Sequence, residues 1–157
     1  MNFKTDKYYI GEAIKEANRA LEQDEVPVGA IIVCNNTIIA RAYNQVEQLK
    51  DSTAHAEMIA ITSAMEYMGA KYLTGCSIYI TIEPCPMCAS ATKHAQLGKL
   101  VFGARDIKQG FLTLNKVSGI KRKDHHPILH KKTKLIRGIM EDECTDLMVH
   151  FFSGKRS

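Results

Sequence analysis

An α/β fold with a mixed sheet sandwiched by helices is what this sequence predicts, on three observations. A helix-period stretch opens the chain, two β-like runs around a pair of asparagines follow it directly, and helical and strand-like runs then alternate to the C-terminus. The predicted order is α-β-β-α-β-α-β-β-α, which puts five strands in the sheet.

Residues 4–23 read as an amphipathic helix with Ile10, Ala13, Ala17, Ala20 and Leu21 on one face, and Pro27 and Gly29 end that pattern. Residues 30–34 and 37–41 form a hairpin around Asn35-Asn36, two residues that tolerate the left-handed backbone a tight turn needs. Thr53 suits the cap of a helix over 54–68, in which Met58, Ile61, Met65 and Met68 recur at three- and four-residue steps as the inward face. A strand over 77–82 leads into a helix from Pro84, a residue suited to a first helical position, to about Gln96. Another strand at 99–102 and a short one near 134–139 precede a last helix over 141–152. Cys144, Leu147, Met148 and Phe151 mark the buried face of that helix.

The chain is 157 residues long and 45% hydrophobic, so a single domain spanning 1–157 can bury a core without disulfides. Five cysteines, no leader-like N-terminus and no apolar run of membrane length predict a cytoplasmic protein in a reducing compartment, without a membrane partner. Cys34, Cys76 and Cys144 read as small buried or half-buried residues. Net charge is unevenly spread: residues 116–137 hold eight Lys or Arg against one acid, Asp124, so the overall +4 divides into +7 there and −3 elsewhere. Such a segment suits phosphate oxygens, and binding through it should weaken steeply with salt. A solvated basic loop without a partner is the plainer reading of the same charges.

His55-Ala56-Glu57 and Pro84-Cys85-Pro86-Met87-Cys88 carry the chemistry. Together they offer an imidazole, two thiolates and one unattached carboxylate. Zinc takes such ligands readily, and a site with three protein ligands keeps its fourth position for a water that Glu57 could deprotonate. Residues two apart point roughly 200° apart on an ideal helix, so His55 and Glu57 can serve one pocket only where the chain is entering its helix. Cys85 and Cys88, at i and i+3, fall at another helix start, where free N–H groups favour the thiolate. A structural zinc knot closed by His94, His125 or His126, and a redox CxxC, are the alternatives at this point; the second leaves His55 and Glu57 unexplained.

The stretches Glu25-Val-Pro-Val-Gly-Ala30, Thr53-Ala-His-Ala-Glu57, Glu83-Pro-Cys-Pro-Met-Cys88 and Val101-Phe-Gly-Ala-Arg-Asp106 resemble the bacterial tRNA-specific adenosine deaminases of the zinc cytidine-deaminase superfamily. The resemblance implies a three-layer α/β/α cytidine-deaminase-like fold and one Zn²⁺ per chain on His55, Cys85 and Cys88. Glu57 would be the proton carrier, and the substrate a tRNA anticodon stem-loop whose wobble adenosine becomes inosine. It further implies that Asn44, Val28, Gly29 and Ala56 meet the flipped base. Asp106 would lie near the ribose, Lys108 near a phosphate, and Phe151 and Phe152, with Lys155 and Arg156, against unpaired bases. A homodimer with the cysteine helices near its interface is implied as well. After Lys108 the family usually has small residues, whereas this chain has Gln109-Gly-Phe-Leu-Thr-Leu-Asn115 and then the basic segment, so the rim of its pocket differs. A deaminase of a free base such as guanine or cytosine would share every zinc residue without needing that rim. A zinc-stabilised RNA-binding module without turnover would have no evident use for Glu57.

Overall fold

The computed structural model describes residues 4–120 and 122–155; Lys121 of the basic segment and Arg156 of the C-terminal element lie outside them. Helix α1 (Asp6–Glu22) is followed by β1 (Gly29–Cys34), β2 (Thr37–Tyr43), a one-turn α2 (Val46–Leu49) and α3 (Ala56–Met68). Then come β3 (Cys76–Ile82), α4 (Pro86–His94), β4 (Lys99–Ala104), a one-turn α5 (Phe111–Leu114), β5 (Lys134–Arg137) and α6 (Glu141–Gly154). The five strands form one mixed sheet in the order β2-β1-β3-β4-β5, antiparallel across β2-β1-β3 and parallel across β3-β4-β5. Helices α1 and α6 cover one face; α3 and α4 cover the other.

Strand alternation builds a core on each side. Ile31, Val33, Tyr79 and Val101 turn toward Ile10 of α1 and Cys144 of α6, while Ala30, Ile32, Ile78, Ile80, Leu100 and Phe102 turn toward α3 and α4. The asparagine pair turns the hairpin as its composition implies, with φ of 52° at Asn35 and 59° at Asn36. Thr5 caps α1 by accepting from Tyr8 N–H, and Ile10, Ala13, Ala17 and Ala20 are all buried. Cys76 and Cys144 are buried and Cys34 is half-buried.

Five details depart from the sequence reading. Thr53 does not cap α3, because its N–H and its hydroxyl both bond Asp51 Oδ1, at 2.8 and 2.7 Å; the helix starts at Ala56 with His55 as N-cap. The buried face of α3 is Ala56, Glu57, Ala60, Ile61 and Ala64, whereas Met58 and Met65 are half-buried and Met68 is exposed. Alanines win there because Ala30, Ala40 and Ala42 of the sheet lie opposite, and small residues on both sides let helix and sheet approach closely. Helix α4 starts at Pro86 rather than Pro84. In α6 Cys144 alone is buried, so Phe151 is not core: it is half-buried, and Phe152 is exposed. Strand β5 stops at Arg137, since Gly138 takes a left-handed φ of 81° that turns the chain toward α6.

Candidate active site

Because β1 runs antiparallel to β3, the start of β1, the end of β2 and the C-terminal ends of β3 and β4 share one edge of the sheet. Ligand sites of open α/β sheets form outside such strand ends. A cavity of about 670 Å³ lies there, lined among others by Val28 before β1, Asn44 after β2, and Ile82 and Glu83 at the end of β3. His55, Glu57 and Cys85 also line it, delivered by the first turns of α3 and α4.

The true helix starts explain how these side chains converge. His55 is the N-cap of α3 and still extended, at φ −70° and ψ 151°, while Glu57 is already in the first turn. That is the helix-entry geometry two residues at i and i+2 need to share a pocket. Cys85 is likewise the extended N-cap of α4, with Pro86 at the first helical position and Cys88 in the first turn. His55 Nδ1 stands 3.7 Å from Cys85 Sγ and 3.5 Å from Cys88 Sγ.

Electrostatics in the cluster set its two thiols apart. The Cys85 thiol is pulled down to about 4 by hydrogen bonds from Cys88, against its burial, with His55 adding to the pull. Cys88 is pushed up, first by its bond to the same Cys85 sulfur and then by burial, with Glu57 nearby. His55 is raised by its contact with Cys85. Glu57 is buried, and burial raises its carboxyl; its Oε1 has no hydrogen-bond partner.

This donor set fits Zn²⁺. The three ligand atoms lie within 4.8 Å of one another. Tetrahedral zinc with Zn–S of about 2.3 Å and Zn–N of about 2.0–2.1 Å sets its N···S edges at roughly 3.5 Å, close to the separations found. A cation there also suits the thiolate that the cluster favours at Cys85. Among the described residues no other His, Cys, Asp or Glu joins the cluster. Of the other ligand candidates, His94 is exposed at the last turn of α4, His126 Nε2 bonds Asn115 O at 2.9 Å, and His125 lines a different cavity.

The remaining predicted residues separate into three places. Val28, Asn44, Asp106 and Phe151 line the zinc cavity, with Ala56 buried at the first position of α3. Asp106 also shapes its own loop, for Oδ1 accepts from Lys108 N–H at 3.2 Å and Gln109 N–H at 3.0 Å. Gly29, expected at the pocket, faces helix α1 instead: a Cβ there would collide with the backbone of Ala13 and Ala17, and its N–H donates to Thr81 Oγ1. Lys108 and Phe152 line a neighbouring groove with Met148 and Lys155. Lys155 belongs to both surfaces; it pairs with Asp24 at 2.8 Å and lies 5.3 Å from the Phe151 ring centroid.

Two buried acids of the cavity wall escaped the sequence reading. Glu83 accepts from Arg105 Nε at 2.6 Å, Asp106 N–H at 3.1 Å and Leu112 N–H at 2.9 Å, so one carboxylate fastens the 105–112 loop to the end of β3. Gly110 is required beside it, since a Cβ would run into that carboxylate. Glu25 accepts from Glu47 and Gln48 N–H at 3.1 and 2.7 Å, which satisfies the start of α2. Their presence in the motif stretches was the available signal; an acid spent on backbone N–H groups has no spacing of its own.

Residues 3–104 match the family model of the cytidine and deoxycytidylate deaminase zinc-binding region. The tRNA-specific adenosine deaminase of Aquifex aeolicus is 43% identical over 151 residues, covering 96% of each chain. That of Bacillus subtilis is 43% identical over 148 residues, covering 94% of this chain and 88% of its own. A solved structure from work on A-to-I editing by tRNA:A34 deaminases at the wobble position of transfer RNA superposes with a TM-score of 0.78 at 35% identity, covering 89% of this chain and 98% of the other. Among the described residues no helix is long and apolar enough to cross a membrane.

Proposed function

The chain belongs to the zinc-binding cytidine and deoxycytidylate deaminase family, and from that membership and the site we propose that it hydrolyses adenosine to inosine at the wobble position of a tRNA anticodon. The observation that carries this reading is the buried carboxylate of Glu57, with an unpartnered Oε1, beside the cluster of His55, Cys85 and Cys88 in one cavity. His55, Cys85 and Cys88 hold the metal. Bound Zn²⁺ supplies Lewis acidity that makes water a competent nucleophile near neutral pH.

The rest of the work falls to the chain itself. Hydrolysis joins the water oxygen to C6 of the adenine and breaks the bond from C6 to the exocyclic nitrogen, which leaves as ammonia. Glu57 takes the proton from water, donates it to ring N1 as negative charge builds there, and passes the second proton to the departing amine. Burial suits Glu57 to this shuttle, because a raised carboxyl exchanges protons more readily in both directions near neutral pH. Val28 and Asn44, in the cavity lining, would border the base, and the N–H of Ala56, in the first turn of α3, would be offered to it. Asp106, in the lining of the cavity, offers a carboxylate acceptor to a 2′-hydroxyl, the group that separates RNA from DNA. Phe151 offers an apolar ring for a neighbouring unpaired base, while Lys108 and Phe152 extend the surface outside the cavity. A base already unpaired in an anticodon loop costs little to extrude into such a pocket.

A homodimer in the cytoplasm is the state we propose, supported by family analogy. Light scattering should return twice the 17.6 kDa chain mass. The reaction is tested by incubating purified protein with an adenosine-containing anticodon stem-loop and, separately, with free guanine, cytosine and adenine. Inosine in the stem-loop alone is expected; xanthine or uracil from a free base, with no inosine in RNA, overturns the tRNA reading.

A further inference from the structure

Across the 105–112 loop from the zinc cavity lies a second cavity, of about 750 Å³, roofed by the basic segment. Arg105, Lys116, Arg122, Lys123 and Arg137 line it, and among the described residues its lining contains no acid. Two of these cations are already neutralised: Arg105 by Glu83, and Arg122 by Asp124 through bonds of 3.0 and 3.2 Å. Lys116, Lys123 and Arg137 have no acidic partner among the described residues. Their charges therefore converge on a space with no counterion of its own.

The walls of that space are partly apolar. Leu112 and Leu135 contribute aliphatic surface, which lowers the local dielectric and strengthens the pull of a cation on an anion. His126 is fixed by two bonds, its Nε2 to Asn115 O at 2.9 Å and its Nδ1 accepting from Ile128 N–H at 3.1 Å, and it packs edge-on against Phe111. His125 Nδ1, in the same lining, is enclosed without a hydrogen-bond partner. Lys131, Lys132 and Lys134 do not contribute to this lining, so of the segment's seven described cations only Lys116, Lys123 and Arg137 line it without an acidic partner.

We propose that this cavity is a phosphate subsite, in which Lys116, Lys123 and Arg137 receive a backbone phosphodiester of the RNA whose adenosine enters the zinc cavity. This rests on the reading of RNA as substrate. The two cavities are joined through one loop: Asp106 and Gln109 line the first, Arg105 and Leu112 the second, and Glu83 holds Arg105, Asp106 and Leu112 together. A strand with its base in one cavity thus has a cationic recess for its backbone on the other side of the same loop. Phosphate contacts position a nucleic acid without reading its sequence, so the subsite acts on affinity and register.

The test is the full-length triple variant K116Q/K123Q/R137Q, with the charge-preserving K123R as control. Anticodon stem-loop binding is measured by fluorescence anisotropy across a salt series, and inosine formation at 50 mM salt. Expected for the triple variant are a Kd and KM at least tenfold higher at low salt, kcat within twofold of the unaltered protein, and a salt slope shallower by about 0.7 for each contact to unpaired RNA. K123R should keep the original slope. Should the triple variant fold poorly by circular dichroism, K123Q alone is expected to lower the slope by one contact. An unchanged slope and Kd in folded variants, with inosine still formed, overturns the subsite alone. No inosine from the unaltered protein overturns the deaminase reading instead. Inorganic phosphate titrated without RNA separates the sources, and saturable binding of that ion tighter than the stem-loop's would overturn assignment to a strand.

Discussion

Glu57 is the one side chain in the proposed reaction that must gain and lose a proton, and its replacement should separate chemistry from metal binding. Glu57→Gln keeps the shape and is expected to reduce kcat by about 10² to 10⁴ while zinc content, measured by atomic absorption, stays at one per chain. Cys88→Ala should have the opposite signature, with zinc lost along with activity, because a buried donor of the trio is gone. Both groups were legible in the sequence because metal-binding side chains are few and their spacing is constrained by helix starts. Thr53 and Gly29 depart from their expected roles because each meets a partner outside its motif stretch, Asp51 just before it in one case and the backbone of α1 in the other. Glu83 and Glu25 went unassigned because their partners are backbone N–H groups, which every residue has.

Among the elements, α1 is held to the sheet by contacts that can be tested one at a time. Gly29 begins β1 directly beneath α1, where Gly29→Ala would push a methyl into the backbone of Ala13 and Ala17. Overpacking of this kind costs about 1–3 kcal/mol, and a denaturant midpoint shift of that size is expected with the zinc content unchanged. Glu12 of α1 pairs with Lys15 at 2.6 Å and with Arg41 of β2 at 2.8 Å, and bonds to those two cations lower its carboxyl below the usual range. With the folded value depressed, its contribution is present above the unfolded value of about 4.3 and is lost as pH falls through the folded one. The stability gap between the unaltered protein and Glu12→Gln should therefore be widest near neutral pH and close in acid, which urea titrations at several pH values would show. Long periodic elements such as α1, and the hairpin with its asparagine turn, were readable from pattern alone. Helices α2 and α5, at four residues each, are too short to display a period. Helix α3 displayed a misleading one, since its methionines are amphipathic in sequence while close packing against an alanine-rich sheet selects the alanines.

For the molecule as a whole, two cores flank the sheet and the metal donors sit at its edge, so folding and metal binding are separable. Stripping zinc with a chelator should abolish deamination and lower the melting temperature through the lost binding free energy, while the far-ultraviolet circular dichroism of a mixed α/β chain persists. An unfolded spectrum on chelation would make the metal a structural element. The three-layer architecture followed from element order; the cavity and the partition of the basic segment did not, because both depend on which loop faces which across the sheet edge. Helices α3 and α4 both start at the reactive edge and run away from it, leaving the turn over 69–75 at their distant ends, with Gly69 and Gly75 in left-handed conformations and open space around both. The exposed stretch 69–72 of that remote bend, ahead of the buried Leu73, is a tolerant address for a fluorescent tag, and a protein labelled there should keep its turnover number.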